Sequence, residues 1–358
     1  MRNEKYNIKA IMKYAGAFIA WIVGSGFATG QEILRFFTSY GYVSYGIVLI
    51  NLAGFIFLGQ KLLIKGYEHK DEAKFNHYRF YCGNTAGAIY SRLVPVTLLL
   101  VLTVLIAASG AELSEYYGMN SYIGSAIMTI LVLCAYLTGF QNLVKIVSKI
   151  GPVIVVFFII VGTVTVIHDF QDFGEIGEYT GELALSQAAP NWAMSAILYL
   201  SLNFLCGSTY FTALGRSAEN KKDAKWGAFI GASALILVIA VMNTAILLNA
   251  KDAASLSVPT LYLSKKLSSA FGASFSVVLM LGMFSASSAL MWSFCNQFFT
   301  EGTWKNRLVA VATSVFAFVV GLFFSFSELV GIFYPFIGYI GLIFIACVIF
   351  RHNGELVR

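Results

Sequence analysis

The feature that most restricts this chain is a series of apolar runs about twenty residues long, uninterrupted over stretches such as Val153–Val166 and Leu235–Val241. Crossing the roughly 30 Å hydrocarbon core of a bilayer takes about 20 apolar helical residues. Ten segments meet that length: 10–38, 42–65, 91–116, 121–140, 143–167, 191–218, 225–249, 270–298, 306–325 and 328–350. A membrane barrel would instead need short strands alternating apolar and polar residues. Composition agrees with helices in lipid. Of 358 residues, 58% are apolar and 12% charged, against about a quarter charged in a soluble domain. Too little polar surface exists to cover a water-soluble globule.

The charges orient these spans. With ten spans and a cytoplasmic N-terminus, every basic residue except Arg35, Lys251, Lys265 and Lys266 falls on the inner side. The segment 168–190 carries Asp169, Asp172, Glu175, Glu178 and Glu182 without Lys or Arg, as an outer loop does. Both termini are therefore expected in the cytoplasm of a multi-pass cell-membrane protein. Positive charge in short loops is not a nucleic-acid footprint, and nucleic acid is not expected as a partner. The cysteines Cys82, Cys134, Cys206, Cys295 and Cys347 show no metal spacing and read as packing residues. No cleavable signal peptide is expected. The histidines His69, His77, His168 and His352 lie in loops or at span ends and read as solvated.

Two spans carry glycine in mid-membrane. The first contains Gly24-Ser25-Gly26-Phe27-Ala28-Thr29-Gly30; the sixth contains Gly207-Ser208-Thr209-Tyr210-Phe211 and then Gly215. Five spans separate them, an odd number, so the second half (191–350) runs inverted relative to the first (10–167). Glycine allows a helix to unwind, and the exposed backbone groups must then line a cavity. Paired interruptions of this kind point to a midplane transport site. The alternative is that these glycines are small residues for close helix packing.

With these motifs in view, and most specifically Val23–Phe37, VGSGFATGQEILRFF, the chain resembles the YkvI-type bacterial membrane proteins along its whole length. Those are similar to members of the amino acid–polyamine–organocation (APC) superfamily. The resemblance implies an all-α LeuT-type fold: one transmembrane domain of ten helices in a 5+5 inverted repeat, with helices 1 and 6 discontinuous. It implies transport of a small solute, an amino acid or related amine, by alternating access.

Site expectations follow. A substrate carboxylate would meet backbone N–H groups at Gly24, Ser25 and Gly26. Its ammonium would meet carbonyls of Asn203 to Gly207, with Thr29, Ser208 and Thr209 nearby and Phe27, Tyr210 and Phe211 as occluding aromatics. By resemblance to sodium-coupled relatives, carbonyls near Ala20 and Val23 would face Ser287 and Ser288 to hold Na+; coupling to Na+ and coupling to H+ both stand, and no other cofactor is expected. Oxygen donors suit that hard cation; serine as interhelical glue is the alternative. In other relatives a fifth-span lysine replaces sodium, which would make Lys149 the coupling group; with Lys145 it reads equally as an inner-face anchor. Glu32 is a functional candidate because a carboxylate in the membrane is costly, or it pairs with Arg35 three residues on. Gln31 beside it would hydrogen-bond substrate or backbone. Two registers of the first break stand, one centred on Gly24–Gly26 and one on Thr29–Gln31; the second brings Glu32 to a cation. Glu112 and Glu115, at the outer end of the third span, read as solvated, Glu112 being the nearer to a cavity.

No phosphate loop, metalloprotease or nucleophile motif occurs, so no enzyme is expected. The rival reading is a receptor that binds the solute without moving it. Substrate and oligomeric state are not legible.

Overall fold

Apolar runs with few internal breakers become helices here because lipid leaves the backbone no other donors and acceptors. The computed structural model describes residues 6–23, 27–72, 75–138, 140–171, 173–174, 180–253, 255–299 and 302–351, with the backbone alone for 140–152, 180 and 182. The first half holds α1 (Ile8–Val23), α2 (Gln31–Phe36), a 3-10 turn (Thr38–Val43), α3 (Ser44–Glu68), α4 (His77–Tyr117), α5 (Ser121–Leu137) and α6 (Phe140–His168). After the short α7 (Thr180–Ala184) come α8 (Trp192–Arg216), α9 (Lys221–Leu248), α10 (Ala250–Ala253), α11 (Pro259–Leu267), α12 (Ser269–Cys295), α13 (Trp304–Phe323) and α14 (Phe326–Phe350). No strand occurs among the described residues.

Seven of the described helical segments are long and apolar enough to cross a membrane, the first being α3 with its leading 3-10 turn; α5 and residues 153–168 of α6 are shorter apolar helices. Their outward faces carry exposed Leu49, Phe57, Ile130, Leu237, Phe316 and Ile343. In water such a surface would aggregate; in lipid it is the solvated surface. Helix starts are fixed by local chemistry. Asn76, Asn120, Asn191, Asn220, Ser268 and Thr303 each accept a backbone N–H from the first turn of the helix they precede. Ser325 and Glu328 form a reciprocal capping box at α14.

Packing divides most of the helices into two groups. In one, α3 lies along α8 and α9, and α9 along α1; in the other, α4 lies along α5, α12 and α13. Direct contact between the groups is thin, chiefly α1 with α12 and α4 with α8, while α6, α11 and α14 bridge them.

The first span is interrupted as the glycines suggest. Helix α1 is described to Val23, residues 27–30 form a turn, and α2 restarts at Gln31. Gly30 closes the turn at φ 85°, a conformation that favours glycine. A side chain there would also strike the Thr260 methyl at 2.7 Å.

The sixth span corrects the expectation. Helix α8 is continuous from Trp192 to Arg216, and Gly207 does not break it. The glycine serves close approach: a Cβ at Gly207 would lie 2.6 Å from the Phe211 ring and 2.7 Å from Trp21 Nε1. Glycine permits unwinding but does not compel it, and here the packing alternative holds. The carbonyls of Asn203 to Gly207 therefore sit inside a regular helix rather than loose in a cavity.

Candidate functional site

Breaking α1 from α2 frees backbone groups that need partners. Two of the carbonyls are met by α11, which lies across the break. Thr260 donates its hydroxyl to Ala28 O (2.9 Å) and its N–H to Thr29 O (3.3 Å). Pro259 at the first position of α11 sets the helical φ without needing a donor partner. Gln31 donates to Leu256 O (2.5 Å) and accepts from Arg35 Nε (3.2 Å), so its amide bonds backbone and neighbour.

Glu32 is 1% exposed and faces α8, beside the Tyr199 hydroxyl and Cys206. It makes no ion pair with Arg35. The guanidinium turns to Ser327, reaching its carbonyl at 3.0 Å and its hydroxyl at 2.9 Å. One turn along α8, Asn203 donates to Tyr199 O (3.0 Å) and also neighbours the Tyr199 hydroxyl, as does buried Tyr334 of α14. Glu32, Tyr199, Asn203 and Tyr334 thus form a buried polar cluster at the level of the break. Phe27 closes one side against Phe158 of α6 (5.3 Å between centroids). Thr29 is buried, its hydroxyl accepting from Gln31 N at 3.4 Å.

The other expected contacts separate from this cluster. Tyr210 stacks on Trp21 (4.9 Å) and donates to Ala17 O (3.1 Å), while Phe211 stacks on Phe18 (4.6 Å). These aromatics join α8 to α1 below the break. Ser208 and Thr209 turn away toward the start of α4, where Ser208 donates to the Tyr78 hydroxyl (2.8 Å) and lies 3.2 Å from His77 Nε2. Thr209 meets the same tyrosine at 3.0 Å. His77, expected to be solvated, is 6% exposed. Gly83, at φ 77° and ψ −176°, kinks α4 and lays this first segment against α8.

Ala20 is half-buried and Val23 buried at the end of α1. Across from α1, α12 places Ser287 and Ser288 fully buried, and neither hydroxyl has a hydrogen-bond partner among the described residues. Gly24, Ser25 and Gly26 lie outside the described residues, and Lys149 is described by its backbone alone, within α6. Among the described residues no His, Cys, Asp and Glu cluster could hold a metal.

On the outer side, a second set of contacts fastens α11 over the break. Asp169, 3% exposed, accepts from Lys266 Nζ (2.8 Å) and Asn249 Nδ2 (2.8 Å) and contacts His168 Nδ1 (2.6 Å). Burial raises its pKa, but the hydrogen bonds from Lys266, His168 and Asn249 outweigh that and hold the carboxyl below its ordinary range. A depressed folded-state pKa stabilises at pH above the unfolded value, about 3.9, and the contribution is lost as pH falls through the folded value. Asp169→Asn is expected to cost about 2 kcal/mol at neutral pH, read as a lower unfolding temperature in detergent. The gap to wild type should close in strong acid; a gap independent of pH would refute this assignment.

Comparison with known proteins fits this geometry. No protein-family model matches the chain. It is 30% identical over 230 residues to the uncharacterized membrane protein YkvI of Bacillus subtilis, 63% of each chain. The match spans less than two thirds of that relative, and less of this chain than the sequence resemblance implied. Among solved structures, MhsT in complex with L-phenylalanine superposes with a TM-score of 0.62 at 13% identity, covering 96% of this chain and 90% of that one. Mhp1, described as a nucleobase-cation-symport-1 family transporter, superposes in its inward-facing conformation with a TM-score of 0.61 at 11% identity, covering 92% and 73%. The chain has the LeuT-like fold of these membrane transporters. The proteins it resembles in structure are transporters rather than enzymes.

The sequence reading missed Tyr199, Tyr334 and Thr260. Tyr199 had a signal, since it stands four residues before Asn203 and so on the same helix face. Thr260 had little beyond the preceding proline.

Proposed function

We propose that the chain is a secondary active transporter of a small solute, an amino acid or related amine, working by alternating access. One observation carries the reading: the first span stops and restarts, and the buried carboxylate just past the break faces polar groups of α8. Glu32 is the group in that cluster whose charge suits an ammonium or a coupling cation, and α8 contributes side chains rather than loose carbonyls. The full architecture would be ten spans in a 5+5 inverted repeat with both termini cytoplasmic, α1 and α2 together forming the first. The thin contact between the two helix groups is the surface along which one would rock against the other.

Coupling by Na+ is supported by Ser287 and Ser288, two buried hydroxyls on a helix touching α1, because oxygen ligands suit a hard cation. Replacing both with alanine is expected to raise the Na+ concentration for half-maximal uptake ten- to a hundredfold, roughly the loss seen when a metal site is deprived of supporting groups. Unchanged Na+ dependence in the double variant would remove Na+ from this position.

Identity of the solute is tested by a thermal-shift screen of amino acids and amines on purified protein, since a ligand of the native state raises its apparent stability. Uptake of a hit into proteoliposomes would support transport. Binding without uptake would point to a receptor instead.

A further inference from the structure

A second buried carboxylate lies outside the cluster at the break. Glu112 stands on the outer part of α4 and is 0% exposed. One oxygen shares a short hydrogen bond with Ser276 Oγ of α12; the other has no hydrogen-bond partner among the described residues. Among the described residues no ion pair answers it. Helix α12 carries no Asp, Glu, Lys, Arg or His from 269 to 295, and its one thiol, Cys295, is at the far end. Helix α5 has only Tyr122, Cys134 and Tyr136, the last bonded to Asn306 at 2.6 Å. From α13 come Lys305 and Arg307, at its opposite end; from α14, Glu328, held in its own cap, with Tyr334, Tyr339 and Cys347; from α8, Tyr199, Cys206, Tyr210 and the remote Arg216. On the α11 side, Lys265 lies over the ring of Tyr116, and Lys266 is committed to Asp169.

An open apolar groove, lined by Leu113, Met128, Ser276, Met280 and Phe284 with exposed Val277 at its rim, runs beside the pair. A carboxylate buried this way with no cation is far costlier than the neutral acid, which has one O–H to donate and an oxygen left to accept.

The position also provides a route for the proton. One helical turn further out on α4, exposed Glu115 accepts the N–H groups of Ser257 (2.7 Å) and Val258 (3.0 Å), which lead into α11. Helix α11 rests on α12 at Gly272, one turn from Ser276, where a Cβ would meet Lys265 Cα at 3.1 Å. Helix α11, which this latch holds at the outer end of α4, is also the element that binds the carbonyls of the break.

We propose that Glu112 is a proton-binding site, and that its protonation is required for the outer ends of α4, α11 and α12 to close. On closing, the carboxylate takes a proton from the outer water and becomes a neutral acid bonded to Ser276; lifting of α11 rehydrates it and lets the proton leave. Proton binding and closure do not rest on the transport reading; only their use in alternating access does.

The test uses the full-length protein in lipid nanodiscs. Infrared difference spectra across the neutral pH range should show a protonated-carboxyl band that disappears as pH rises and is missing from Glu112→Gln. Hydrogen exchange of residues 255–268, corrected for its intrinsic pH dependence, should rise over the same range in wild type and stay flat in Glu112→Gln. That variant is isosteric with the neutral acid and is expected to remain folded. Ser276→Ala, which keeps the acid, should shift the midpoint of both signals. Absence of a Glu112-dependent band, a band unchanged by pH, or an identical exchange response in wild type and variant would overturn the proposal. Neither readout needs a transported solute, so failure of uptake would count against the transport reading alone.

Discussion

Glu32→Gln is expected to weaken solute or cation binding ten- to a hundredfold and to reduce uptake correspondingly, with little loss of folded protein. The carboxylate is buried past the break and faces Tyr199 of α8. Amide for acid keeps the shape and removes the charge. A hydrogen bond to a charged group contributes about 1.5–3 kcal/mol, and tenfold in affinity corresponds to about 1.4 kcal/mol. Asn203→Ala should give a smaller loss, because its amide also bonds Tyr199 O within its own helix. Arg35→Gln provides the contrast. Arg35 ties α2 to Ser327, so its loss should lower thermal stability more than affinity. Wild-type binding and uptake by Glu32→Gln would remove the carboxylate from the site and leave it a structural acid.

The largest loss of stability is expected from Gly66→Ala or Gly215→Ala. These glycines make a reciprocal contact between α3 and α8, the most extensive helix pair among the described residues. A Cβ at Gly66 would overlap the Thr212 carbonyl, and a Cβ at Gly215 would overlap the Leu63 carbonyl. Both obstacles are backbone, so no side-chain rotation relieves them. Overpacking of this sort costs about 1–3 kcal/mol and sometimes more, and here the upper end or beyond is expected. The double variant should lose less than the sum, because one separation of the helices relieves both clashes. Gly16→Ala is the control, since a Cβ there meets nothing within 4 Å, and helix propensity favours alanine by about 1 kcal/mol. Equal unfolding temperatures for Gly66→Ala and Gly16→Ala would show that α3 and α8 are not held as tightly as this contact implies. The same contact bears on mechanism, because α3 and α8 locked backbone to backbone must move as one body.

Reading the sequence worked where the cause was local. Long uncharged runs meant helices in lipid, because no other secondary structure satisfies the backbone there. The interruption of the first span was legible from Gly24, Gly26 and Gly30, and Gly30 does adopt a conformation that favours glycine. The same signal failed at Gly207. One glycine opened a turn and the other let Trp21 and Phe211 approach, and the spacing of residues along the chain does not distinguish those uses.

Charge gave a similar result. Sequence placed Glu112 near the outer surface and paired Glu32 with either Arg35 or a cation. Folding buried Glu112 against Ser276, 164 residues further along the chain, turned Arg35 to Ser327 and left Glu32 facing Tyr199. His77 looked like a loop histidine until the Gly83 kink laid it on Ser208.

What the sequence by itself determined is the solvent of this protein, its helical class and the break in its first span, because each depends on a residue and its near neighbours. Which polar groups share a cavity was decided only by the tertiary structure. That depends on contacts between helices far apart in the chain, and no local periodicity records them.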